Sequence, residues 1–108
     1  MVIISNKLLP VKGFQAINLF GILLVRRECM PLAEESLNHE KIHTSQMKEL
    51  GYVFFYLIYI TEWIYESFRA KNLMKGYYNI SFEREAYLNQ NNADYLLNKK
   101  KWSFIRYL

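Results

Sequence analysis

Only two histidines occur in the chain, His39 and His43, and they bracket Glu40, Lys41 and Ile42 to give His-Glu-x-x-His. On a helix, a separation of four residues sets both imidazoles on one face, one turn apart, where both can hold a single Zn²⁺. Glu40 projects about 100° round the helix from His39, close enough for its carboxylate to hold a water at the metal. Zinc acidifies such a water and polarises a substrate carbonyl, while the glutamate takes the proton. Two histidines and nine glutamates placed at random would reproduce the pattern in about 0.2% of arrangements, so the spacing is read as chemistry.

A catalytic zinc also needs a third protein ligand and an open fourth position. With no third histidine and no cysteine near the motif, that ligand is expected to be a carboxylate. Glu62, Glu66, Glu83 and Glu85 compete for the role. Glu62 and Glu66 lie one turn apart in an aromatic segment and read as its polar edge. In Ser81-Phe82-Glu83-Arg84-Glu85-Ala86-Tyr87, a helix puts Glu83, Ala86 and Tyr87 on one face, and the small Ala86 lets that helix approach the metal helix. Glu85 points elsewhere, so one of this pair binds metal and the other does not.

These residues need elements to hold them. Residues 14–19 and 22–26 read as two strands of a β-hairpin turning at Gly21. Pro31 opens a helical stretch that runs to about Leu50, with Glu34 and Glu35 at its positive end and Gly51 past its close. A second helix is expected over 52–71. It is apolar nearly all round through Ile60, which predicts burial at the centre of the domain. Gly76 is placed in a loop. Ser81 is expected to cap a third helix reaching Gln90, and residues 93–101 a last short one. The fold class is therefore α+β: a short antiparallel hairpin packed on three to four helices, as one domain over 1–108.

The segment His39-Glu40-Lys41-Ile42-His43, followed by Glu83-Arg84-Glu85-Ala86-Tyr87, resembles the zincin metallopeptidases of the gluzincin type. In several of these the third ligand opens a Glu-x-x-Ala segment on a later helix. The resemblance implies His39, His43 and Glu83 as zinc ligands, Glu40 as general base, and a peptide or protein substrate. Residues 14–108 are also similar to small uncharacterised bacterial zincin-like proteins. These combine a hairpin, an Asn-His-Glu-x-x-His helix, an aromatic helix and an Asn-Ile-Ser-Phe-Glu-Arg-Glu-Ala-Tyr segment. Tyr87 stands where many relatives carry an acid or another polar residue. The family's substrate-binding edge strand would map to residues 22–25.

Composition narrows the remaining classes. At 108 residues there is room for one core, and 52% hydrophobic with 22% charged residues is globular composition. A single cysteine, Cys29, excludes an internal disulfide framework and multi-cysteine zinc, and fits a reducing, cytoplasmic setting. The N-terminal residues lack the pattern of a secretory signal, and residues 52–60 are too short to span a bilayer. A net charge of +4 with small basic clusters, Arg26-Arg27 and Lys99-Lys100-Lys101, is too little and too local to track nucleic acid. The aromatic helix and those lysines leave a non-enzymatic alternative: a zincin-derived scaffold that binds a partner protein or touches a membrane surface peripherally. Asn38, Ser36 and Gln46 flank the histidines and could hydrogen-bond an imidazole or an incoming peptide, although exposed polar side chains are the favoured reading. Tyr87 and Tyr95 are candidate oxyanion donors. The oligomeric state is left open.

Overall fold

The run Ile22-Leu23-Leu24-Val25, flanked by Gly21 and framed by the β-branched Ile22 and Val25, becomes in the computed structural model the middle of a three-stranded sheet. The structure describes residues 2–10 and 14–108. Strand β1 (Val2–Asn6) runs parallel to β3 (Ile22–Arg26), and β2 (Ala16–Leu19) pairs antiparallel with β3 on its other side. Leu23 and Val25 alternate inward and are fully buried, which fixes the register of the middle strand.

The expected hairpin is β2–β3, with Leu19 opposite Ile22 across a two-residue turn. Phe20 and Gly21 both sit at positive φ, 54° and 89°, as a turn matched to strand twist requires. Phe20 is an uncommon residue for that conformation. Its amide donates to the Tyr56 hydroxyl at 3.0 Å and its ring meets Tyr56 edge-on at 5.1 Å. Gly21 donates to Asn18 Oδ1.

Helix α1 (Glu34–Leu50) carries the histidine motif and ends at Gly51, φ 78°. It starts three residues beyond Pro31. Helix α2 (Tyr52–Ala70) follows at once, then α3 (Leu73–Asn79), α4 (Ser81–Asn89), α5 (Tyr95–Asn98) and a closing 3₁₀ turn, Ser103–Tyr107. The molecule is thus α+β, with a strand and a helix beyond the sequence expectation. Gly76 belongs to α3 and not to a loop: a Cβ there would fall 2.6 Å from Ser67 Cα, so its absence lets α3 lie directly on α2. Asn72 caps α3 by accepting from the Lys75 amide.

The core sits where α1, α2, α4 and the C-terminal turn meet. Phe82 packs between Phe55 and Phe104, with ring centroids 4.5 and 4.6 Å away, over Met47 and Ile80. The expectation that α2 is buried at the centre is overturned. Of its nineteen residues only Phe55 is buried, because the helix packs along one side and its apolar residues outnumber what that side can cover. Among the described residues no helix is long and apolar enough to cross a membrane.

Candidate metal centre

Helix geometry brings His39 and His43 together on the inner face of α1, and α4 delivers Glu83 against them. Ala86 is fully buried, and this small side chain lets α4 approach α1. His39 Nε2 and His43 Nε2 lie 3.0 Å apart, and each is 3.1 Å from Glu83 Oε1. Ligands at about 2.0–2.1 Å from a tetrahedral zinc stand roughly 3.3–3.4 Å from one another, so this triangle matches one face of such a site to a few tenths of an ångström. All three residues are buried, and among the described residues they form a group able to hold a metal ion.

The surrounding hydrogen bonds decide which atoms carry lone pairs. Gln46 Nε2 donates to the Phe82 carbonyl and to Glu85 Oε1, at 3.1 and 2.9 Å, so its Oε1 must face His43 Nδ1, which donates at 2.8 Å. His39 Nδ1 donates to Gln90 Oε1, also at 2.8 Å. Both Nε2 atoms are therefore left to bind at the centre, the tautomer a metal ligand needs. The Tyr59 hydroxyl donates to Glu83 Oε2 at 2.6 Å, leaving Oε1 turned to the two imidazoles.

Three acceptor atoms within 3.1 Å require a cation among them. Burial opposes a charge on His43, but the Glu83 carboxylate, with Glu40 behind it, outweighs burial and lifts His43 to about 9. The same pairing holds the Glu83 carboxyl well below its ordinary value despite its own burial. A proton on His43 satisfies one edge of the triangle; a divalent metal, if bound, would be held by all three corners in place of that proton.

Glu40 is not a corner of the triangle. Its carboxylate accepts no hydrogen bond among the described residues, and it lines a cavity of about 290 Å³ together with His39. Burial raises its pKa against the lowering effect of the two imidazoles. Phe14, Leu32, Met74, Tyr78 and Tyr87 wall the cavity. A larger open groove of about 900 Å³ runs past Lys41, Ser45 and Lys48 and holds no such cluster.

The competing carboxylates have other work. Glu62 accepts from the Ser81 amide and hydroxyl at 2.9 and 2.8 Å, capping α4, so Ser81 is capped and does not itself cap. Glu66 pairs with Arg69. Glu85 is fully buried and gathers Gln46, Tyr95 and the Ser103 hydroxyl. Tyr95 is thus tied to Glu85 and lies away from the triangle, whereas Tyr87 packs edge-on to His39 at 4.4 Å, its hydroxyl raised to about 12 chiefly by burial.

Several flanking residues differ from the sequence reading. Gln46 is completely buried and bonds the His43 imidazole, the less favoured of its two sequence readings. Asn38 donates to the carbonyls of Gln90 and Asn92, which fastens α1 to the end of α4. Asn18 donates to the Glu40 carbonyl and Thr44 Oγ1, fixing β2 beside the motif. The strand beside the cavity is accordingly β2, with Gln15 and Ala16 in its wall; β3 is bonded on both sides, so residues 22–25 form no edge. Lys99 is used internally, against Glu49 at 2.5 Å, and Lys101 lies over the Trp102 ring. Tyr59 and Gln90 carry no motif and reach the site only through folding; Gln46, one turn past His43 on the same face, was findable from spacing. No protein-family model, curated protein or solved structure matches the chain.

Proposed function

We propose that the chain is a zinc-dependent metallopeptidase in which His39, His43 and Glu83 hold the metal and Glu40 is the general base. The observation that carries the reading is the triangle of two imidazole nitrogens and one carboxylate oxygen, 3.0–3.1 Å on each side, with both outer imidazole nitrogens already committed as donors. When bound, zinc would supply a Lewis acid that acidifies water and polarises a carbonyl.

The remaining steps belong to side chains of this chain. Glu40, unpartnered and raised by burial, takes a proton from a water in the cavity and returns it to the leaving amine nitrogen. Gln46 and Gln90 hold the imidazoles in the ligating tautomer, and Tyr59 keeps Glu83 turned to one oxygen. The outer edge of β2 at Ala16 offers backbone groups to an extended peptide, and Phe14, Tyr78 and Tyr87 line the cavity beside it.

The test is a broad peptide library incubated with zinc-loaded protein. Wild type is expected to cleave, and Glu40→Gln to retain zinc while losing roughly 10²–10⁴-fold in rate. Equal cleavage by Glu40→Gln would refute the base assignment. Zinc binding without any cleavage would instead favour the scaffold reading, which the exposed apolar side of α2 supports.

A further inference from the structure

Along α2, Val53, Leu57, Ile60 and Ile64 follow at intervals of four, three and four residues, the spacing of helices that pack knobs into holes. Phe54, Thr61 and Phe68 flank this seam, and all seven residues are exposed. Exposure of the large apolar members runs from 51% at Ile60 to 80% at Phe68. Together they present on the order of 800 Å², above the roughly 300–600 Å² of the largest apolar patch on a typical monomer and about what one partner covers in a standard interface. No charge interrupts the seam. The charges of α2 are Glu62, turned onto the start of α4, and Glu66, paired with Arg69. Helices that lie on lipid are bordered by lysine and arginine, and this one is net acidic.

We propose that a second copy of this chain occupies the face. The two α2 helices pair antiparallel about a two-fold axis near Ile60 and Thr61, the midpoint of the exposed stripe. Antiparallel pairing opposes the helix dipoles favourably and makes the contact self-complementary. Phe54 of one copy then meets Phe68 of the other, and Leu57 meets Ile64. The inference is independent of the metal centre, because none of these residues touches it.

Sedimentation equilibrium on the full chain tests it, over about 1–100 µM. Wild type is expected at twice the 13.0 kDa chain mass. Ile60→Glu sets two carboxylates against each other at the axis and should weaken association by more than about 100-fold, with an unchanged circular-dichroism spectrum. Leu57→Lys provides the same test with the opposite charge, should Ile60→Glu misfold. Leu97→Glu, at an 82% exposed leucine on α5, should leave the dimer intact. A wild type that stays at 13.0 kDa throughout, or a dimer that survives both seam variants, overturns the proposal. So does a monomer that pellets with phosphatidylcholine vesicles, which would assign the seam to lipid.

Discussion

Two helices of similar length, α1 and α2, distribute polarity in opposite ways. The inner face of α1 buries His39, His43 and Gln46 beside Glu83 and Glu85 of α4, and each of these polar side chains has a partner. Across the molecule, α2 buries one residue and leaves Val53, Phe54, Leu57, Ile60, Ile64 and Phe68 in the open. Folding favours neither arrangement: buried carboxylates and imidazoles cost desolvation, and exposed apolar side chains forgo burial. Both arrangements underlie the two proposals, a cation held by the first and a second copy of the chain against the second.

The sharpest way to break the first half is to remove a corner of the triangle. Glu83→Ala leaves His39 and His43 facing each other without a carboxylate and should abolish stoichiometric zinc retention, measured by competition with a chromophoric chelator. Next in size is Gln46→Met, which frees the His43 tautomer and strips a donor from Glu85. It should lower zinc affinity about 10–100-fold and fold stability by about 1–3 kcal/mol, read by chelator competition and urea titration. Tyr59→Phe removes one hydrogen bond to Glu83 Oε2 while keeping the ring against Phe55, and about 10-fold in zinc affinity is expected. The smallest effect belongs to the other region. Phe68→Ser, at an 80% exposed side chain, should change unfolding free energy by no more than about 0.5 kcal/mol in dilute solution, because the monomer gains little from that ring. A large loss there would mean that α2 is core after all.

The same contrast explains how much was legible in the sequence. The motif on α1 depends on a spacing within one helix, and the choice of Glu83 on the resemblance of its segment to the Glu-x-x-Ala of gluzincins; the structure brings His39, His43 and Glu83 together. The hairpin likewise follows from a local run of branched residues and Gly21. What escaped depends on tertiary placement. Residues 2–6 have no neighbouring strand in sequence to form a hairpin with, and they become a strand through parallel pairing with the distant β3. Gly76 reads as a loop until the approach of Ser67 gives it a packing reason. The aromatic residues of α2 read as core because composition reports how apolar a helix is and not how much of it a 108-residue fold can cover. Tyr59 and Gln90 come from elements that only the fold sets beside α1.

The central claim is that a cation belongs between His39, His43 and Glu83, and zinc stoichiometry with X-ray absorption tests it most directly. The account predicts one zinc per chain, two imidazole nitrogens at about 2.0–2.1 Å, oxygen ligands at about 2.0–2.2 Å and no sulfur. It also predicts that the signal disappears in His43→Ala and persists in Glu40→Gln. A wild-type protein that takes up no zinc, or one whose zinc survives unchanged in His43→Ala, would contradict it.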